Sequence, residues 1–245
     1  MPLAAVAQYC GTANVAANIE ICFKLMRDAV VKGAQMVFFP EASDFIATTT
    51  KETIELTKAH SRSFVEDIKK EARNQKLWVS IGVHEQSLSP NKIYNTHLII
   101  SDDGIEIGKY RKLHLFDVDI KDGPVILEST STDYGEQVIS PISTPLGKVG
   151  MSVCYDLRFP ELSTELRKRG ADILTAHIGK HNDKRASYGN AMIVDSWGTV
   201  LARCPETIKP SLAFADIDLD RLHQVRREMP IMDHRRVDIF THLAS

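Results

Sequence analysis

Three stretches of this chain each place a reactive side chain directly after an apolar run. In GKVGMSVCYDLRFPEL, Gly147 to Leu162, the residues Val149 to Val153 read as a strand entering a core, and Cys154 stands at its end. Tyr155, Asp156 and Arg158 follow at once, and Pro160 opens an expected helix over Glu161 to Arg169. A cysteine packed as a small hydrophobe belongs in mid-strand, not on a rim crowded with charge. FFPEAS puts Glu41 after a buried strand and a proline, and GKYRKLHLFD puts Lys112 after another strand, among Arg111, His114 and Asp117.

A catalytic cysteine attacks as the thiolate, so it needs a base or a nearby positive charge. No histidine lies within twenty residues before Cys154, which leaves a carboxylate to serve as base. The nine histidines form no ligand cluster, and the pair in HIGKH, 177–181, lacks a third ligand, so no metal is expected. Taken singly, Glu41 also reads as a helix-cap partner and Lys112 as a solvated charge. An acid, a cation and a thiol at three strand ends can instead converge on one rim of a sheet, where open α/β folds bind ligands.

The elements that would position them alternate along the chain. LAAVAQY reads as a strand and Asn14 as a helix cap; Ile19, Cys22, Phe23, Met26 and Val30 recur at helical spacing up to Gly33. MVFFP is a buried strand, a polar helix is expected from about Glu52 to Lys76, and LWVSIGV follows as a strand. YNTHLIIS, the turn DDG and IEIGKYRK predict a hairpin. A loop rich in Ser, Thr and Gly leads to the Cys154 strand; ADILTAHIG, NAMIVDS, TVLARC and SLAFADID are further strands, and LDRLHQVRREM a basic amphipathic helix. With no repeat or linker, the reading is one α/β domain over residues 1–245 with parallel crossovers and antiparallel hairpins.

Bulk properties exclude other classes. The 245 residues carry 30 Lys+Arg against 32 Asp+Glu, a balance that argues against nucleic-acid and anionic-membrane binding. Cys10, Cys22, Cys154 and Cys204 form no CxxC pair or disulfide framework. The N-terminus has neither the basic region of a signal peptide nor the Arg-rich character of a transit sequence, so a reduced, cytoplasmic setting is expected, with a mitochondrial form left open.

FFPEAS, KYRKLHLFD and VCYDLRFPEL, in that order, resemble the three motifs of the carbon–nitrogen hydrolase (nitrilase) superfamily, and the resemblance runs over nearly the whole chain. It implies a four-layer α-β-β-α sandwich and a catalytic Glu, Lys and Cys, here Glu41, Lys112 and Cys154, with a second glutamate matching Glu128 in GPVILESTSTDYG. ESTST, KRASYGNAMIVDSWGTVLARC and RREMPIMDHRR are most similar to the Nit branch, whose amidases act on deaminated glutathione; the sister omega-amidases of 2-oxo acid amides resemble the chain less well after Ser187.

The implied chemistry is amide hydrolysis through a thioester on Cys154, without a cofactor. Glu41, at an apolar rim, serves as the base with a pKa near working pH. Lys112 and the backbone N–H of Tyr155 receive the oxyanion, and Arg158 and Arg185 are candidates to meet a substrate carboxylate. The chain departs from the family after Thr175, where about one strand–helix unit is missing and ADILTAHIG reads as the front of one strand joined to the back of the next. The family's homodimer is expected to be weakened by that loss, and a shortened, non-catalytic scaffold stands as the alternative to an active amidase.

Overall fold

The computed structural model describes residues 1–121, 123, 125–175, 190–207 and 209–239. His177, His181 and Arg185 lie outside the described residues.

Alternation of apolar residues builds the first sheet. Strands β1 (Leu3–Gln8), β2 (Met36–Phe38) and β3 (Trp78–Gln86) run parallel in neighbouring positions. The hairpin β4 (Ile93–Ile100) and β5 (Glu106–Arg111) continues the sheet antiparallel, turning at Gly104 with φ of +72°. A Cβ at Gly104 would sit 2.3 Å from the Lys69 carbonyl oxygen, so only glycine fits that turn.

Helices α1 (Val15–Val31) and α2 (Thr50–Gln75) cover one face of this sheet. Asn14 caps α1 by accepting from Ala17 N at 3.0 Å, and Thr49 caps α2 by accepting from Glu52 N. Their buried residues Cys22, Met26, Phe64, Ile68 and Ala72 pack on Ala5, Ala7, Val37, Phe39, Val79 and Ile81. The neighbours in sequence, Ala4, Met36 and Phe38, point to the other face, as the strand period of two requires.

That second face meets Leu146, Val149, Met151 and Val153, which are covered in turn by Leu162 and Leu166 of α3 (Pro160–Lys168). The layers are therefore helix, sheet, sheet, helix. Two short hairpin strands, β6 (Asp117–Asp119) and β7 (Val125–Leu127), occupy part of the stretch expected as loop.

The second layer comes in two pieces. Strands β8 (Ile142–Thr144), β9 (Gly147–Gly150) and β10 (Ile173–Leu174) form one, in the order β10-β9-β8. Strands β11 (Met192–Val194) and β12 (Val200–Arg203) form the other, an antiparallel pair turning at Gly198. Among the described residues no strand joins β10 to β11. Leu174, Met192, Val194, Trp197 and Leu201 stand about half exposed around the break. A cavity of about 770 Å³ opens there between the layers, lined by Ala4, Val6, Phe38, Leu146, Ile173 and Ile193 among others.

The strand expected over Val149 to Val153 ends at Gly150, and among the described residues its neighbour β10 pairs with it at two positions. Met151 to Val153 remain buried without a ladder. The chain closes with β13 (Ser211–Asp216), antiparallel to β1, so that the first sheet runs β13-β1-β2-β3-β4-β5, and with α4 (Leu219–Glu228). Arg226 fastens α4 to the second layer through Asp172 Oδ1 at 2.7 Å and the Ala171 carbonyl.

Candidate active site

Glu41, Lys112 and Cys154 do converge. Glu41 follows β2, Lys112 follows β5, and Cys154 begins a 3-10 turn, Cys154–Arg158, beyond β9. Lys112 Nζ lies 3.0 Å from Glu41 Oε1 and 2.9 Å from Glu128 Oε2, with its side chain 2% exposed. Burial works against the ammonium, but the carboxylates of Glu41 and Glu128 outweigh it and hold Lys112 above the ordinary lysine range. The lysine is therefore a fixed cation.

The thiol of Cys154 is pushed the other way. Burial and the charge of Glu41 raise it well above the ordinary cysteine value, and Lys112 only partly opposes them. It donates a hydrogen bond to Glu41. A thiol so raised stays protonated at neutral pH, and attack then requires that its proton pass to a base already in contact. Cys154 also carries φ of +46°, a left-handed conformation that costs a non-glycine residue on the order of 1–3 kcal/mol and persists only where its surroundings fix it.

The turn carrying Glu41 is equally constrained. Ala42 has φ of +52°, and Gly82 of β3 packs so closely beneath that a Cβ there would lie 2.7 Å from Glu41 Cα. Ser43 N donates to the Gly82 carbonyl at 2.8 Å.

Asn95 of β4 is a site residue that the sequence reading missed. Its Nδ2 donates to Oε1 of Glu41 at 2.6 Å and to Oε1 of Glu128 at 3.2 Å, tying the two carboxylates together around Lys112. Oε1 of Glu41 thus receives both Asn95 and Lys112. The signal was present: Asn95, Thr96 and His97 are three consecutive polar residues inside an otherwise apolar, buried strand. Glu128 sits in a 3-10 turn, Glu128–Thr130, after β7 and accepts from Phe116 N at 2.7 Å, which fixes its rotamer.

The substrate-binding candidates divide. Tyr155 is half-buried, its ring edge-to-face with Phe116 at 5.0 Å and with Phe159 at 5.3 Å. Its backbone N–H belongs to the first turn of the Cys154 segment, where helical N–H groups have no intrahelical acceptor. Arg158 is exposed at the far end of that turn. The 770 Å³ cavity includes Pro40 and Leu157 in its walls but neither Lys112 nor Cys154, so it adjoins the chemistry without containing it.

The other cysteines differ from Cys154. Cys22 is fully buried against Tyr9 and its thiol is pushed up to about 12; Cys204 is buried and raised by burial. Cys10, two residues beyond the end of β1, is half-buried.

Known proteins resemble this chain over nearly its whole length. The profile of the carbon-nitrogen hydrolase family matches residues 3–182 and again 174–227. A Schizosaccharomyces pombe protein named probable hydrolase nit2 is 42% identical over 98% of this chain and 99% of its own length. Human deaminated glutathione amidase is 40% identical over 99% of this chain and 85% of its own. The crystal structure of the Caenorhabditis elegans NitFhit protein superposes with a TM-score of 0.90 at 35% identity, covering 97% of this chain and 66% of that longer one.

The same comparison measures the missing unit. The alignment to the S. pombe protein has 275 positions, of which this chain fills 98% of 245, about 240, so about 35 residues of that relative have no counterpart here. The two stretches that the profile matches overlap at 174–182, starting at the last residue of β10. Fold, motif order and full-length identity together make this chain a member of the carbon–nitrogen hydrolase family, on the Nit branch of the nitrilase superfamily.

Proposed function

We propose that this chain is an amidase that cleaves a small carboxylate-bearing amide, of the deaminated glutathione kind, through a thioester on Cys154. One observation carries the reading: a protonated, strained thiol hydrogen-bonded to Glu41, beside an ammonium that two carboxylates hold charged.

Glu41 takes the thiol proton as Sγ bonds to the amide carbon. The carbonyl oxygen becomes an oxyanion, which Lys112 Nζ and the Tyr155 N–H receive; one such donor contributes about 3–4 kcal/mol in enzymes where it has been removed. Glu41 returns the proton to the amide nitrogen, the C–N bond breaks, the amine leaves, and an acyl thioester remains. A water molecule then gives its proton to Glu41 and attacks the thioester. The C–S bond breaks, the acid departs, and the proton returns to sulfur. Lys112 cannot act as the proton carrier, because its carboxylate neighbours hold it charged. Glu128 keeps the ammonium in place, and Asn95 keeps both carboxylates there.

Arg158 and Arg185 are proposed to recognise the substrate carboxylate, and the reducing cytoplasm suits a free thiol nucleophile. The homodimer implied by the family resemblance is expected to be weakened by loss of the strand–helix unit; sedimentation of the purified chain measures it. The test of the amidase reading is turnover of a 2-oxo acid ω-amide, with intact-mass detection of an acyl adduct on Cys154. Wild type should show both and Cys154→Ser neither. A folded wild-type chain that forms no adduct favours the non-catalytic scaffold, for which the divided second layer is the supporting observation.

A further inference from the structure

Two buried aspartates outside the catalytic set share one arrangement. Asp156 accepts from His114 N at 3.0 Å and from His114 Nδ1 at 2.7 Å, and the His114 ring stacks on Phe159 at 3.7 Å and 7°. Asp44 accepts from His84 N at 2.9 Å and from His84 Nδ1 at 2.9 Å, and the His84 ring stacks on Phe45 at 4.3 Å and 22°. Each aspartate is 1% exposed, and each lies two residues beyond a non-glycine residue of positive φ, Cys154 in one case and Ala42 in the other.

Asp156 takes two further donors, Val153 N at 2.9 Å and Tyr110 Oη at 2.7 Å. Tyr110 and His114 bracket Lys112 in sequence, so one carboxylate spans from the nucleophile's turn to the chain on both sides of the catalytic lysine. Asp44 also accepts from Phe45 N at 3.0 Å, which fixes its own rotamer, while His84 ties it to β3.

We propose that Asp156 and Asp44 are positioning residues, each pinning a catalytic turn through the backbone N–H and ring Nδ1 of one histidine: the Cys154 turn to the segment that follows β5 through His114, the Glu41 turn to β3 through His84. This rests on the amidase reading for its importance, though the clamps themselves are a matter of geometry. A buried carboxylate accepting three or four hydrogen bonds fixes direction as well as distance. Left-handed residues persist only where the surroundings over-determine them. The thiol and its base stand on different layers, and the two clamps add fixed directions to the apolar packing that joins those layers.

The imidazole can be replaced without losing the donor, because the asparagine amide Nδ2 occupies nearly the place of Nδ1. The experiment compares the full-length chain with His114→Ala, His114→Asn, Asp156→Asn, His84→Ala and His84→Asn at a temperature where circular dichroism shows each folded. Two readouts are taken: kcat and KM on the amide, and the rate of Cys154 alkylation by iodoacetamide, followed by peptide mass. The alanine variants and Asp156→Asn should lose at least tenfold in kcat with KM within about threefold, since ångström-scale misplacement costs on the order of 100-fold. Cys154 alkylation should slow in parallel, and both asparagine-for-histidine variants should recover to within threefold of wild type. Asparagine variants as impaired as the alanine ones overturn the proposal, as does an unchanged kcat in Asp156→Asn. If wild type turns over no amide, the amidase reading falls while alkylation still decides: equal rates in wild type, His114→Ala and His84→Ala reject the clamps.

Discussion

Replacing Lys112 by methionine keeps the apolar stem and removes the charge, leaving Glu41 and Glu128 facing each other in a nearly dry site. Asn95 Nδ2 reaches one Oε1 at 2.6 Å and the other at 3.2 Å, so the two oxygens are at most about 5.8 Å apart. Two like charges at that distance repel by about 3 kcal/mol at an effective dielectric of about 20. Mutational experience with broken buried pairs, roughly 3–5 kcal/mol, agrees. Against a total stability of about 5–15 kcal/mol this loss is large, so Lys112→Met should be folded but marginal at pH 8. The sign with pH follows. The folded variant takes up a proton between its two carboxylates more readily than the unfolded chain does, so its stability rises as pH falls from 8 to 5.5. Urea unfolding followed by circular dichroism at several pH values measures this, with Lys112→Met/Glu128→Gln as the partner variant. The double variant should regain most of the loss at pH 8. A single variant that loses less than about 1 kcal/mol, with no pH dependence, would show that the carboxylates are solvated or protonated without the lysine, and the fixed-cation argument would fail.

Three other outcomes are expected. Glu41→Gln should lower kcat by about 10²–10⁴ while leaving Cys154 in place, as removal of a general base does, and near-wild-type turnover would require another base. The Cys22 thiol is pushed from 9.0 to about 12, so the stability it contributes is complete below pH 9 and lost as pH rises towards 12; Cys22→Ala should remove about 1.4 kcal/mol per pH unit from the alkaline slope, read by urea midpoints between pH 9 and 11. Inserting the S. pombe relative's unmatched segment after Thr175 should raise the melting temperature by roughly 10 °C, since about five half-exposed apolar side chains become covered at about 1 kcal/mol each; an unchanged melting temperature and unchanged dye binding to apolar surface would show that the division is already sealed.

The parts of the site that the sequence revealed are those in which chemistry interrupts a local pattern. Glu41, Lys112 and Cys154 each follow a run of apolar residues, so their positions at strand ends were visible one by one, and their order carried the family resemblance. Glu128 was visible only through that resemblance, because nothing in VILEST distinguishes a buried carboxylate from a loop residue. Asn95 was overlooked because a polar residue in a strand ordinarily faces solvent, and here both faces of β4 are covered. Asp156 was quoted within CYDLR, but its partners Tyr110 and His114 lie 46 and 42 residues away, beyond any spacing rule. The length of the Cys154 strand was overestimated for a related reason. Apolar character extends to Val153, whereas pairing depends on a neighbour, and among the described residues β10 pairs only with Val149 and Gly150.

Glu41, Asn95 and Lys112 all stand at the rim of the complete six-stranded sheet, and Cys154 alone comes from the divided layer. The electrostatic half of the site thus rests on the unbroken sheet. The lost segment bears on the other half, the height of one sulfur above that base and cation. An enzyme divided in this way can lose its aim while keeping its charge, and regain it through anything that restores the spacing of two sheets.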